Sequence, residues 1–305
     1  MTVIHEPLED LFLVDLDLPR EGFRGFIGSW VLRRAGATVL VDPGPRATLP
    51  ILRDALARLR VHRLDAVLLT HIHIDHAGGT GLLLDRYPEA QVVCHRKGMP
   101  HLADPAKLWA GSLQVLGDLA EAYGEIAPVP PERVTWEDSL TFGDLPVDAL
   151  ETPGHAAHHV SYRVGDLLFA GEAAGVRCAL PEGPYLRPAA PPPFFYEEFR
   201  VSLLRLAATG AAHLCYGHGG HTAGARAVCE AALRQLDLWV RTVEELVRSG
   251  GEDLARAAFD RLLDVDPAFA RFRDLPPDVQ ARERYFFGNT LQGLRGDAER
   301  RLAGG

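Results

Sequence analysis

The stretch Thr70-His71-Ile72-His73-Ile74-Asp75-His76-Ala77-Gly78-Gly79 places three imidazoles and one carboxylate within six consecutive positions. It follows the apolar run Ala66-Val67-Leu68-Leu69, which predicts a strand that ends where the histidines begin. Imidazole nitrogens and carboxylate oxygens are ligands that zinc and its first-row neighbours accept. Residues two apart on an extended strand point the same way, so His71 and His73 can bind one ion. Asp75 and His76 fall where the chain turns toward the next helix, which directs them to a second ion close to the first.

The composition predicts a globular protein with a sizeable core. The chain has 305 residues, of which 47% are hydrophobic, enough for one large domain with an appendage or for two modest domains. No apolar run approaches the roughly 20 residues that cross a bilayer, and the N-terminal residues lack the pattern of an export signal. The four cysteines are far apart and form no C-x-x-C pair, which favours reduced thiols. We therefore expect a cytoplasmic protein with no membrane partner.

The net charge argues against nucleic acid as a partner. Nucleic-acid affinity depends largely on Lys and Arg side chains that neutralise phosphates, whereas the formal charge of this chain is -9. The arginines between Arg295 and Arg301 alternate with acidic residues, which is typical of a solvated helix face. We expect a small-molecule substrate, and homo-oligomerisation is left open.

Two β-rich parts of the chain each have helices beside their strands. In the first part, helices are predicted at residues 48–60, 77–86 and 104–123. The second set of strands follows the Pro-rich stretch 128–131, and the segment from Pro181 to Pro193 is predicted to be a loop. After His221 the pattern is helical, with a stop at Gly250-Gly251 and further helices near residues 253–265 and 277–302. Two such β-rich halves suggest sheets packed face to face and covered by helices.

One loop cannot complete two metal sites, so more ligands must come from later strand ends. Three segments offer them. His155 follows the Pro153-Gly154 turn, Glu172 follows an apolar strand and Gly171, and His218 lies between glycines after a short strand. A glycine next to a ligand permits close approach of the backbone.

The ordered set of motifs resembles the metallo-β-lactamase superfamily. The family pattern is H-x-H-x-D-H, then a histidine after a Pro-Gly turn, a Gly-Asp at a strand end and a late histidine. The similarity runs from about Val39 to His218 and includes the Asp42-Pro43-Gly44 turn. It implies an α/β fold of four layers, an αβ/βα sandwich of two mixed β-sheets flanked by helices. Residues 1–222 would form the catalytic domain, and residues 223–305 a helical C-terminal extension packed on it.

The resemblance also implies a ligand set and cofactors. His71, His73 and His155 would hold a first metal, and Asp75, His76 and His218 a second. Glu172 occupies the position that usually bridges both ions, where the family usually has aspartate. Its carboxylate is one methylene longer, so bridging requires the backbone to retreat or the side chain to fold. The expected cofactors are two divalent ions, with zinc as the first expectation and iron or manganese as alternatives.

Such a centre is typical of a hydrolase. Two ions about 3.5–4 Å apart share a water whose pKa falls from 15.7 toward about 7, which supplies a bridging hydroxide at neutral pH. Asp75 is the candidate catalytic residue, because it lies beside this hydroxide and can pass a proton to the leaving atom. The leading interpretation is a dinuclear hydrolase of a small ester, lactone or thioester, similar to glyoxalase II or to lactonases. A mononuclear iron oxygenase similar to persulfide dioxygenases and a non-catalytic metal-binding member are the alternatives.

Candidate substrate contacts lie outside the ligand set. Tyr185 and Arg187 belong to the Pro-rich segment after Glu172, which is predicted either to overhang the metals or to be an ordinary surface loop. His221 follows the glycines after His218 and is predicted to line the cleft.

Overall fold

The first of two mixed sheets carries the histidine stretch at the end of an inner strand. The computed structural model describes residues 2–303. Seven strands lie side by side in chain order, antiparallel among the first four and parallel from the fourth to the seventh. They are β1 (Ile4–Leu8), β2 (Leu11–Asp15), β3 (Gly28–Arg34), β4 (Ala37–Val41), β5 (Ala66–Leu68), β6 (Gln91–Val93) and β7 (Val134–Thr135). Every residue of β5 is buried, as expected for a short apolar strand covered on both faces.

The second sheet supplies the strand ends for the later ligands. The remaining strands are β8 (Ser139–Phe142), β9 (Leu145–Glu151), β10 (Val160–Val164), β11 (Leu167–Gly171), β12 (Val176–Cys178), β13 (Tyr185–Arg187), β14 (His213–Tyr216) and β15 (His221–Ala223). Six of them form the sheet in the order β15-β14-β11-β10-β9-β8, in which β11 and β14 are parallel and the other neighbours antiparallel. β12 and β13 form a separate antiparallel pair.

Helices cover the outer faces of both sheets. They are α1 (Leu49–Arg58), α2 (Ile74–Ala77), α3 (Thr80–Leu84), α4 (Met99–Ala103), α5 (Ala106–Leu116), α6 (Asp118–Tyr123), α7 (Tyr196–Ala207), α8 (Ala225–Ser249), α9 (Leu254–Val265), α10 (Pro267–Ala270) and α11 (Pro277–Ala303). Within residues 2–303, no helix has both the length and the apolar character needed to cross a membrane.

Three hydrophobic clusters define the layers. Between the sheets, Trp30 of β3 packs against Phe169 of β11 with ring centroids 6.3 Å apart. Outside the first sheet, Leu52 of α1 belongs to a cluster with strand residues such as Val67. Outside the second sheet, residues of α7, α8, α9 and α11 form the third cluster, with Trp239 of α8 as its largest member. These layers confirm the predicted α/β sandwich of two mixed sheets flanked by helices, with a helical C-terminal region. The boundary at residue 222 stays a prediction.

Three element predictions differ from the structure. The single helix predicted at 104–123 is split into α5 and α6 at Gly117. The φ angle of Gly117 is 53°, whereas residues in a right-handed helix have negative φ. The helix predicted at 77–86 is interrupted at Gly78 and Gly79, because the backbone there bonds to the β4 loop: Gly79 N–H donates to Gly44 O at 2.8 Å, and Gly44 N–H donates to His76 O at 2.9 Å. The segment predicted as a loop between Pro181 and Pro193 contains strand β13.

Candidate metal centre

Seven side chains from four segments meet at one edge of the sandwich. The parallel strands β4 and β5 of the first sheet and β11 and β14 of the second end there, and short turns then present the polar side chains. They fall into two adjacent groups, and within each group one candidate ligand atom per residue lies within 4.8 Å of the others. The groups are His71, His73, His155 and Glu172, and Asp75, His76 and His218.

Glu172 lies between the two groups. Its Oε2 atom is 2.9 Å from His155 Nε2 and 3.5 Å from His71 Nε2, both in its own group. The same oxygen is 3.6 Å from His76 Nε2, and Oε1 is 3.9 Å from His218 Nε2. The longer side chain therefore reaches ligand atoms of both groups from the end of β11.

In the second group, the Nε2 atoms of two imidazoles face each other. His76 Nδ1 lies 2.9 Å from Asp42 Oδ2, and His218 Nδ1 lies 2.9 Å from the carbonyl oxygen of Phe26. In the neutral form that metal ligation requires, each ring places its hydrogen on Nδ1 to make these bonds, which leaves a lone pair on each Nε2. The two Nε2 atoms are 3.2 Å apart. Nitrogens bonded at about 2.0–2.1 Å to one tetrahedral zinc ion lie about 3.3 Å apart, so this pair fits a shared metal ion.

The first group has the same arrangement. His155 Nδ1 donates to Ala189 O at 3.1 Å, which leaves its Nε2 facing His73 Nδ1 at 2.9 Å. The hydroxyl of Thr70 donates to Asp42 Oδ2 at 2.6 Å and therefore accepts from His71 Nδ1 at 3.0 Å. His71 Nε2 is then left buried without a hydrogen-bond partner among residues 2–303. Because buried polar atoms are normally satisfied, an orphan nitrogen here fits a metal ligand.

The charges in the site also favour bound cations. Burial, followed by the charges of neighbouring histidines, lowers the pKa of His71 well below its usual value and that of His73 to about 3, so both rings stay neutral, as ligands must. Burial raises the pKa of Asp75, but His76 and His218 outweigh it and bring the value to about 2. Burial lowers the pKa of His76, but Asp75 and Asp42 outweigh it and raise the value. The carboxylates of Asp75 and Asp42 thus favour a positive charge beside His76, and a bound divalent ion would supply such a charge.

Asp42 supports both groups from the end of β4. Its Oδ1 atom accepts the Thr70 amide N–H at 2.8 Å, and its Oδ2 accepts from the Thr70 hydroxyl and from His76. The aspartate adopts a φ of 54°, a region that Asp and Asn tolerate better than most residues. The sequence showed the turn but not this role. The available signal was the apolar run Thr38-Val39-Leu40-Val41 directly before the turn, which is typical of a strand, since the carboxyl ends of parallel neighbouring strands lie side by side.

His159 and Gly171 fix the backbone of Glu172. The Glu172 amide donates to His159 Nε2 at 3.2 Å, and the other ring nitrogen of His159 lies 2.9 Å from Thr152 Oγ1. Gly171 has a φ of 53°, and a Cβ there would lie 2.5 Å from His159 Nε2. The close approach expected at Gly171 is therefore present, and it permits contact with an imidazole that supports the ligand.

Tyr185 and Arg187, which were predicted as substrate contacts, are both buried, and their contact with substrate stays a prediction. Both residues lie on β13 and point inward, because alternate residues of a strand share one face. Tyr185 is fully buried against Phe269, with ring centroids 5.8 Å apart. Arg187 is buried and donates to Glu283 of α11.

His221 lies at the edge strand β15, half-buried. Its Nε2 atom is 3.1 Å from Nδ1 of His213 on the neighbouring strand β14. A contact between His221 and the cleft stays a prediction.

Two aromatic residues near the ligands were not predicted. Phe26 stacks on the ring of His218, with centroids 4.1 Å apart and planes 1° from parallel. Tyr123 of α6 is buried, and its hydroxyl has no hydrogen-bond partner in the described part of the chain. Burial raises the pKa of Tyr123, and the charges of Asp75 and Glu172 raise it further, which places the hydroxyl within the field of both carboxylates. Neither residue lies in a local motif, so the sequence gives no signal for them.

The sequence is similar to those of known proteins. The profile of the metallo-beta-lactamase superfamily matches residues 23–218. A metallo-beta-lactamase fold-containing protein of Sulfurisphaera tokodaii is 32% identical over 195 residues, which cover 60% of this chain and 73% of that protein. The hydroxyacylglutathione hydrolase of Aeromonas salmonicida is 30% identical over 146 residues, 47% of this chain and 44% of that enzyme. The match therefore spans less than half the length of that enzyme.

Solved structures share the fold over nearly the whole chain. An archaeal metallo-beta-lactamase superfamily protein from Sulfolobus tokodaii superposes with a TM-score of 0.68 at 24% identity, over 95% of this chain and 100% of that one. A metallo-beta-lactamase family protein from Thermus thermophilus gives 0.64 at 23% identity, over 96% and 94%. The coverage includes the helical C-terminal region as well as the sandwich.

Proposed function

The chain belongs to the metallo-beta-lactamase superfamily, and on that premise we propose that it is a metal-dependent hydrolase of a small ester, lactone or thioester. The observation that carries the proposal is the position of Glu172, whose two carboxylate oxygens lie within 3.9 Å of histidine nitrogens from both ligand groups. A carboxylate so placed fits a centre of two metal ions rather than one. The similarity to hydroxyacylglutathione hydrolase supports a thioester as one substrate class.

In this proposal His71, His73 and His155 would hold one ion, Asp75, His76 and His218 would hold a second, and Glu172 would serve both groups. Divalent ions supply an activated water at neutral pH and polarise a substrate carbonyl. Zinc suits the mixture of imidazole and carboxylate ligands, and iron and manganese accept the same atoms.

The chain's own residues prepare the site for proton transfer. Asp75 has an ionised carboxylate at neutral pH because its pKa is held to about 2, and its side chain is 16% exposed, against 8% for Glu172. Its Oδ2 atom lies 3.4 Å from His218 Nε2, at the mouth of the second group. We assign Asp75 the role of orienting the attacking water and carrying a proton to the leaving atom.

The test combines metal analysis with a substrate panel. Protein purified without added ions is analysed for metals and then assayed on a hydroxyacylglutathione thioester, an aliphatic lactone, a phosphodiester and, in the presence of O₂, a persulfide. Two zinc ions per chain and turnover of the thioester or lactone support the proposal. One iron per chain with oxidation of a persulfide would replace it by the dioxygenase alternative. Full metal occupancy without turnover of any substrate would favour a non-catalytic member.

A further inference from the structure

Two of the proposed metal ligands are oriented by backbone carbonyls, not by side chains. His218 donates to Phe26 O, in the loop of residues 16–27 between β2 and β3. His155 donates to Ala189 O, in the loop of residues 188–195 between β13 and α7. A carbonyl on a loop fixes an imidazole only as well as the loop itself is fixed. The contacts that hold the two loops therefore affect the orientation of one proposed ligand in each group.

The loop 16–27 is held by the first turns of α11. Arg282 donates through Nη1 to Gly22 O, and its guanidinium lies 4.0 Å from the ring centroid of Phe26. Asp278 accepts the Gly22 amide N–H at 3.2 Å. Phe26 thus contacts both the Arg282 guanidinium and the His218 imidazole, so Arg282 holds the residue whose carbonyl and ring contact His218.

The loop 188–195 is held by the same helix further along. Thr290 donates from its hydroxyl to Pro188 O at 3.3 Å, next to the carbonyl that orients His155. Gly293 packs so closely on Ala190 that a Cβ at this glycine would clash with the Ala190 carbonyl oxygen. Arg187 ends β13 directly before the loop and donates to Pro188 O at 3.4 Å.

Glu283 joins the two attachments. This fully buried carboxylate accepts from Arg187 Nε at 2.5 Å and from Arg282 Nε at 2.9 Å. Burial would raise the pKa of Glu283, but the charges of Arg187 and Arg282 outweigh it and lower the value, so the carboxylate is ionised. Without it, two guanidinium groups would be left buried without a counter-charge, which proteins tolerate poorly.

We propose that Arg282 and Glu283 of α11 are positioning residues for the metal centre, because together they hold the two loops whose carbonyls orient His218 and His155. The inference rests on the proposed function only in taking these two histidines as metal ligands. The helix α11 would then contribute to metal affinity although it supplies no proposed ligand. This contribution would come from one buried cluster of Arg187, Arg282 and Glu283.

The test measures metal affinity on folded protein by competition with a chelator, using Zn²⁺ alone as the probe. Arg282→Met and Glu283→Gln are expected to weaken Zn²⁺ binding about tenfold, at the lower end of the loss seen when the partner of a metal ligand is removed. The matched control is Arg284→Met on the same helix, whose guanidinium lies over Phe259 and Phe272, away from both loops. The control is expected to bind Zn²⁺ as the parent does.

A Co²⁺ spectrum distinguishes positioning from a general loss of stability. In the Co²⁺-loaded protein, Arg282→Met is expected to shift the visible absorption bands, because the orientation of His218 changes, while Arg284→Met leaves them in place. If Glu283→Gln or Arg282→Met fails to fold, Arg282→Lys carries the test, since it keeps the charge but loses the fork that reaches both Gly22 and Glu283. It is expected to show a smaller loss in the same direction.

The outcomes separate this inference from the proposed function. If the parent binds no metal, the proposed function fails. If the parent binds Zn²⁺ and the folded variants bind it as tightly, with unchanged Co²⁺ spectra, the positioning role is overturned and the proposed function stands.

Discussion

The histidine stretch 70–79 and the helix α11 contribute to the same site in opposite ways. The stretch supplies four proposed ligands within six positions, and a buried strand, a turn and two glycines held by the β4 loop bring them together. α11 supplies no ligand, yet its contacts fix the loops whose carbonyls orient His155 and His218. The stretch thus provides atoms proposed to bind a metal, whereas α11 provides packing that fixes the orientation of such atoms.

The largest effect is expected in the stretch itself. His71→Ala removes a buried proposed ligand whose Nε2 has no hydrogen-bond partner among the described residues. We therefore expect loss of tightly bound metal and a fall in turnover to background. Metal content after dialysis and steady-state assays check this. His62→Ala, a substitution of an exposed histidine, is the control and should leave both unchanged. Full activity of His71→Ala would show that the stretch is not the metal site.

A smaller loss is expected one step behind the ligands. Asp42→Asn keeps the backbone conformation and one acceptor for the Thr70 amide, but its NH₂ group replaces the oxygen that accepts from His76 and the Thr70 hydroxyl. We expect Zn²⁺ affinity to fall about 10–100-fold. The unfolding free energy should fall by about 1–3 kcal/mol because buried donors lose their acceptor. Chelator competition and denaturant unfolding of the metal-free protein measure the two effects separately, and parental affinity would mean that His76 needs no partner.

The same contrast explains what the sequence predicted. The candidate ligands and the strands before them were predictable from the sequence, because each candidate ligand lies in a short local pattern, such as an apolar run followed by a turn and a glycine. The supporting contacts join residues far apart: Phe26 and His218 are separated by 192 positions, and Gly22 and Arg282 by 260. No local pattern encodes such a pair.

The failed predictions have a related physical cause. β13 is three residues long between prolines, so composition favoured a loop, and its burial depends on α10 and α11 packing over it from the other end of the chain. Likewise the apolar spacing of residues 104–123 fits one helix, whereas a single left-handed residue, Gly117, divides it. Tertiary packing explains the first difference, and the φ angle of Gly117 explains the second.

Glu172→Asp tests the departure from the family pattern within the ligand set. Shortening the side chain by one methylene withdraws the carboxylate from His155 and from the histidines of the second group. We expect weaker metal binding, within about tenfold, a loss no greater than that of Asp42→Asn. Zn²⁺ stoichiometry and chelator competition are the measurements. Tighter binding by the aspartate variant would mean that the backbone of this chain already suits the shorter residue.

The smallest effect is expected on the helix side of the comparison. Thr290→Val preserves shape but removes the hydroxyl that donates to Pro188 O, an oxygen that Arg187 also contacts. The unfolding free energy should fall by about 0.5–1.5 kcal/mol, the usual worth of one hydrogen bond, while Zn²⁺ affinity stays within about threefold of the parent because Glu283 and Arg187 still hold the loop. If Thr290→Val instead weakens Zn²⁺ binding as much as Asp42→Asn, the distinction between ligands and distant supports breaks down, because a single hydrogen bond on α11 would then matter as much as the direct partner of a ligand.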